Sequence, residues 1–115
     1  MTATDDLTAT FAALADPTRR AILSRLADGE ATVNQLAEPI TLTQQAVSKH
    51  LRVLEQAGLV SRTRVGQSRP CRLERDRFDA AADWIDRHRR MWRDRYDRLD
   101  EHLAALRDDS QESDT

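Results

Sequence analysis

The sequence predicts a mainly α fold that carries one small two-stranded β hairpin, an α+β arrangement. Three observations lead there. Apolar residues recur at helical spacing through most of the chain. Only three Gly and three Pro occur in 115 residues, so long regular elements are expected and long loops are not. One stretch alternates instead: Leu59, Ser61, Thr63 and Val65 interleave with Val60, Arg62 and Arg64, and Cys71 to Leu73 can return beside them after the turn Gly66-Gln67-Ser68-Arg69.

Taken in order, Leu7, Phe11 and Leu14 fall at i, i+4 and i+7, which predicts a helix near residues 5–15 with one apolar stripe. Asp16-Pro17 restarts the chain, because Asp caps a helix and Pro suits its first position. A second helix is expected from Pro17 to about Ala27, with Ile22, Leu23 and Leu26 inward and Asp28-Gly29 as its stop. Thr32 caps a short third helix over Val33, Leu36 and Ala37, which Pro39 is expected to end by pushing the preceding residue out of the helical region. Thr43 caps a fourth helix from Gln44 to Ala57, closed by Gly58 in the left-handed conformation. Two short helices joined by a tight turn form a helix-turn-helix, and the hairpin after them is a wing. Pro70 has no N–H for a ladder, so it belongs at the start or edge of the second strand.

From about Asp76 a long last helix is expected to reach about Arg107. Phe78, Ile85, Trp92, Leu99 and Leu106 recur every seven residues on it. Ala82, Tyr96 and Leu103 fill the +4 positions, and Arg89 interrupts that second seam. Such a helix of about 30 residues is about 45 Å long, more stripe than one small domain covers. The expected partner is the same helix of a second copy, helped by Leu7, Phe11 and Leu14. A homodimer would also set two reading helices about 34 Å apart, one turn of duplex. The predicted organisation is one domain over 1–107, followed by an acidic, disordered tail over 108–115.

Charge is distributed unevenly. The formal net charge is −2, but segments 1–42, 43–75 and 76–115 carry −3, +5 and −4. A basic centre between acidic flanks is the local footprint of a polyanion-binding surface. With Val47, Leu51 and Leu54 inward on the fourth helix, Gln45, Ser48, Lys49, Arg52 and Gln56 point outward, a face with two cations and no acid. Gln pairs bidentately with adenine, and Lys or Arg with guanine, so this face suits a major groove of double-stranded DNA. Thr43 and the first free N–H groups of the helix suit a phosphate. Gln44 and His50 flank the buried stripe. Arg62, Arg64, Arg69 and Arg72 surround the hairpin, where they suit backbone phosphate or a narrow minor groove, Arg69 at the tip foremost. The competing readings are an ordinary solvated helix face and a charged edge strand.

Several classes are excluded or disfavoured. No apolar run approaches the ~18 residues of a membrane span. The acid-bearing stretch from Met1 to Asp6 is unlike a signal peptide, so a cytoplasmic location is expected. Cys71 stands alone, which excludes an internal disulfide framework and suits inert packing rather than a redox handle. No histidine shows a nucleophile partnership with Cys71 and there is no Gly-rich phosphate loop, so neither enzyme activity nor a cofactor is expected.

The stretch Phe11-Ala-Ala-Leu-Ala-Asp-Pro-Thr-Arg-Arg-Ala-Ile-Leu, followed by Gln44-Gln-Ala-Val-Ser-Lys-His-Leu-Arg-Val-Leu-Glu-Gln-Ala-Gly-Leu-Val, closely resembles the ArsR family of bacterial winged-helix repressors. The resemblance runs from about Leu7 to Leu106. It implies a homodimer that binds a near-palindromic operator and represses its own operon, with DNA contacts from Thr43, Gln44, Gln45, Ser48, Lys49 and His50. The family's paired-cysteine metal site is missing, because Thr32 and Asn34 stand at the matching positions. A second ligand set on the last helix is matched by Asp86, His88 and His102, with Leu99 at the remaining position. The resemblance is therefore to metal-independent members, and any effector is unknown. A metal-responsive repressor and a winged helix used for protein binding are the alternatives.

Overall fold

The computed structural model describes residues 5–113, with side chains to 109. It contains α1 (Asp6–Leu14), α2 (Pro17–Ala27), α3 (Val33–Ile40), α4 (Gln44–Gln56), β1 (Val60–Arg62), β2 (Cys71–Leu73) and α5 (Asp76–Ser113). Two compact units are distinguished, one up to Ala81 and one from Ala82 onward.

In the first unit every helix from α1 to α4 begins on a side-chain cap. Asp5 accepts from Thr8 N–H, Asp16 from Arg19, Thr32 from Gln35 and Thr43 from Ala46. These caps satisfy donors that the helical ladder leaves over, which is why short helices of 8 to 13 residues start where they do. At Thr32 the Gln35 side chain also accepts from the cap's own N–H, completing a capping box. The C-terminus of α1 is closed from outside: Arg19 donates to the carbonyls of Ala12 and Ala13, and Arg20 to that of Leu14.

The core is built from Ile22, Leu23 and Leu26 of α2, Leu36 and Ala37 of α3, and Val47, Leu51 and Leu54 of α4. Val60 and Cys71 of the hairpin join it, with Leu59 just before β1 and the small side chains of Ala13, Ala31 and Ala57. Thr10 is the buried polar residue, and its hydroxyl donates to Asp6 O at 2.8 Å. Leu14 and Phe78, expected in a dimer seam, are partly buried against this same core.

The hairpin is antiparallel, with Val60 opposite Leu73, Ser61 opposite Arg72 and Arg62 opposite Cys71. Alternation places Val60, Arg62, Cys71 and Leu73 on the core side and Ser61 and Arg72 on the other. Ala31 and Cys71 exchange backbone hydrogen bonds (2.7 and 3.2 Å), tying β2 to the residue just before the α3 cap.

Three element boundaries differ from expectation. Pro39 lies inside α3, which ends at Ile40 with Thr41 at φ 55. The missing N–H falls in the last turn, where it costs one hydrogen bond, and the burial of Leu36 and Ala37 holds the turn on the core. β1 is Val60–Arg62 rather than Leu59 to Val65. Leu59 is used in closing α4, and past Arg62 the partner is Pro70, which accepts from Thr63 but cannot donate. α5 continues to Ser113 instead of stopping near Arg107, because no Gly or Pro follows Arg107 to break it. Residues 114 and 115 of the expected disordered tail lie outside the described residues.

The second unit is the α5 segment from Ala82. Its apolar side chains are open: Ile85 is exposed, as are Trp92, Tyr96, Leu99, Leu103 and Leu106. Among the described residues no helix is long and apolar enough to cross a membrane.

Candidate nucleic-acid interface

α4 is set by its two ends and its inner stripe. Thr43 starts it, with the hydroxyl 3.1 Å from Ala46 N. Its other end is a Schellman closure, in which Gly58 N–H donates to Glu55 O and Leu59 N–H to Leu54 O, both at 3.0 Å. Gly58 sits at φ 78, a left-handed conformation that favours glycine, and a Cβ there would crowd the flexible Arg77 side chain at 3.1 Å. With Val47, Leu51 and Leu54 fully buried, helical geometry turns Gln44, Gln45, Lys49 and Arg52 to solvent.

Thr43, Gln44, Gln45, Ala46, Ser48, Lys49 and Arg52 line an open groove of about 620 Å³ along this face. Among the described residues no intramolecular hydrogen bond or ion pair engages the side chains of Gln45, Lys49 or Arg52. A second groove, about 440 Å³, lies between α4 and the wing. Its walls are Ser48, Arg52, Glu55, Arg62, Arg64 and Arg69. Ser48 and Arg52 belong to both grooves, so one surface runs from the N-terminus of α4 to the wing tip. At that tip Val65 and Ser68 exchange hydrogen bonds at 2.9 Å around Gly66, which has φ 62. Arg64 and Arg69 are exposed there.

Two of the residues expected on DNA are engaged elsewhere. Arg62 Nε donates to Glu55 Oε1, bridging β1 and the last turn of α4. His50 Nδ1 lies 3.8 Å from Asp16 Oδ2, and the ring is outside the lining of both grooves. Asp16 is held below its ordinary carboxylate value, first by the Arg19 N–H it caps and further by His50. On the outer side of the hairpin Ser61 donates to Glu74 and Arg72 pairs with the same carboxylate, which lowers the Glu74 pKa in that order of importance. Arg72 is thereby directed away from the groove.

Glu55, which lines the second groove and pairs with Arg62, is a residue that the sequence reading passed over. A signal for it existed. A carboxylate in the last turn of a helix opposes the negative end of the helix dipole, so it needs a cation nearby. The nearest following arginine, Arg62, lies beyond the Gly58 turn.

A family model described as a helix-turn-helix domain matches residues 14–63. The crystal structure of an ArsR family transcriptional regulator, RHA00566, superposes with a TM-score of 0.71 at 37% identity, over 81% of this chain and 97% of that one. The chain belongs to the ArsR family of winged helix-turn-helix transcriptional regulators. The transcriptional repressor SdpR of Bacillus subtilis is 42% identical to it over 57 residues. That match takes in 50% of this chain and 63% of SdpR, so the chain spans less than two thirds of that relative's length. The homodimeric winged helix-turn-helix DNA-binding domain of Mb0332 from Mycobacterium bovis, solved by NMR, is 28% identical with a TM-score of 0.58, over 85% of this chain and 84% of that domain.

Within this ArsR-family chain the metal candidates lie on α5. His88 stacks on Trp84 with ring centroids 4.0 Å apart, and its Nδ1 is 2.8 Å from Trp84 O. Asp86 pairs with Arg89 at 3.2 Å. His88 and His102 are separated by about 21 Å along the helix at ~1.5 Å per residue, so one copy does not bring them together. Cys71 is fully buried, and burial pushes its thiol above the ordinary value, which disfavours the reactive thiolate.

Proposed function

We propose that this chain acts as a homodimeric repressor that binds a near-palindromic DNA operator. α4 enters the major groove, where Gln45, Lys49 and Arg52 reach base edges, with Ser48 beside them. Thr43, Gln44 and the first turn of α4 hold a phosphate. Arg64 and Arg69 follow the backbone or the adjacent minor groove. The observation that carries this reading is the continuous surface from Thr43 to Arg69, which carries Lys49, Arg52, Arg62, Arg64 and Arg69 with Glu55 among them and is joined at Ser48 and Arg52.

The homodimer rests on the α5 stripe of Ile85, Trp92, Tyr96, Leu99, Leu103 and Leu106, all of them exposed. In the first unit Leu7 and Phe11 of α1 are only partly buried, and they too are assigned to contact with a second copy. The homodimeric state of the Mb0332 domain supports it. Repression follows the naming of SdpR as a repressor. Action on DNA supports a cytoplasmic location.

The test is fluorescence anisotropy on duplex from upstream of the protein's own gene, at several salt concentrations, with excess random competitor. Competitor-resistant binding is expected, and Lys49→Ala should weaken it by roughly 1–3 kcal/mol with unchanged circular dichroism. Equal affinity of Lys49→Ala and Gln45→Ala to the parent chain would remove α4 from the reading face.

A further inference from the structure

We propose that Glu55 is a specificity-determining residue that holds Arg62 out of contact with DNA phosphate. The inference rests on the DNA-binding reading above and refines it. Four cations and one carboxylate line the groove between α4 and the wing: Arg52, Arg62, Arg64 and Arg69, with Glu55 among them. Arg62 Nε donates to Glu55 Oε1. The two side chains are 24% and 35% exposed, so the pair lies largely at the base of the groove rather than at its rim.

Register explains why Arg62 turns this way. Arg62 stands opposite the fully buried Cys71, on the core side of the hairpin, while Ser61 and Arg72 occupy the other side with Glu74. Arg62 therefore emerges against the end of α4, where Glu55 waits at the negative pole of the helix. The pair neutralises itself and leaves Arg64 and Arg69 as the groove cations offered to phosphate, with Arg52 turned to base edges.

The consequence is selectivity. Binding to random duplex depends almost wholly on phosphate neutralisation, whereas operator binding also draws on base contacts. Withholding one cation removes a larger share of the binding free energy for random DNA than for the operator. The carboxylate also repels a backbone phosphate that approaches in the wrong register.

The experiment compares the parent chain with Glu55→Gln, Arg62→Gln and the double variant, on operator and on random duplex, by anisotropy across a salt series. Circular dichroism and thermal melting check folding, and salt slope is the readout that a merely structural role leaves unmoved. Glu55→Gln is expected to steepen log K against log salt by about 0.9 for each DNA-bound subunit, one added phosphate contact per half-site, to tighten random binding several-fold and to lower the operator-to-random ratio. Arg62→Gln alone should leave the slope unchanged, and the double variant should return it to the parent value. A slope that falls by about 0.9 per bound subunit in Arg62→Gln alone would place Arg62 on phosphate and overturn the proposal. An unchanged slope and ratio in Glu55→Gln would overturn it too. In either case operator binding by the parent chain, weakened in Lys49→Ala, leaves the DNA reading standing. Absence of DNA binding by the parent chain overturns both.

Discussion

Helices α4 and α5 both carry an apolar stripe, and the two stripes end in opposite environments. On α4, Val47, Leu51 and Leu54 are each 0% exposed, closed in by α2, α3 and the hairpin. On α5, Trp92 and Leu99 are 50% exposed and Leu106 is 49% exposed. The difference teaches that helical periodicity states how much surface needs a partner and leaves open where that partner comes from. Spacing hints at the answer. The α4 stripe spans about two turns, which neighbouring short helices cover. The α5 stripe keeps strict seven-residue spacing over four repeats, the pattern of a helix that pairs along its length with another.

The largest expected effect breaks the buried side of this comparison. Leu51→Ala removes a fully buried side chain from the centre of the core and should cost about 2–5 kcal/mol in urea unfolding. A loss below about 1 kcal/mol would mean that the α4 stripe is not what holds the core. Leu99→Ala makes the same change on α5 and sharpens the contrast, since its cost should depend on protein concentration as the dimer does. Next comes Trp92→Asp, which places a charge in the open stripe. Sedimentation should show the dimer dissociation constant rising by at least about tenfold, with the core still folded. A variant that sediments as the parent dimer removes Trp92 from the seam. A smaller effect is expected at the start of α4, where Thr43→Ala leaves the Ala46 N–H without its cap and should cost about 1 kcal/mol of stability.

The smallest effect is on pH dependence. Asp16 has its pKa lowered from 3.8 by capping the Arg19 N–H, with His50 adding to the effect. Its contribution is fully present above 3.8 and is lost as pH falls through the lower folded value, because the unfolded chain takes up the proton first. Asp16→Asn should flatten that acid limb in urea titrations run at successive pH values. An unchanged slope would remove Asp16 from the acid response.

Much of this was legible before the structure. Asp16, Thr32, Thr43 and Gly58 mark helix ends because each solves a local hydrogen-bond or backbone problem, and local problems are written in local sequence. What was not legible depends on contacts between distant segments. Pro39 reads as a stop, yet the core under Leu36 and Ala37 keeps the turn helical through Ile40. Arg62 reads as one more wing cation, yet strand register turns it inward to Glu55. His50 reads as part of the DNA face by family resemblance, yet its ring lies beside the Asp16 cap. At the far end, the last apolar residue of the stripe, Leu106, suggested an end for α5, but an apolar pattern shows where packing stops and not where a helix stops.

The exchange of hydrogen bonds between Ala31 and Cys71 has a further consequence, for the order of assembly. It closes a chain segment of about 40 residues, an entropy cost of roughly 3 kcal/mol that the helices inside the segment do not meet individually. The expected order is that α2, α3 and α4 form from local contacts and present a surface, on which the hairpin docks afterwards. Amide exchange should accordingly find Cys71 and Ala31 opening at lower free energy than Leu51. Equal protection at all three sites would mean that helices and hairpin form as one cooperative event. In that expected order α4 is in place first, and the arginines of the wing are the last part of the surface to arrive.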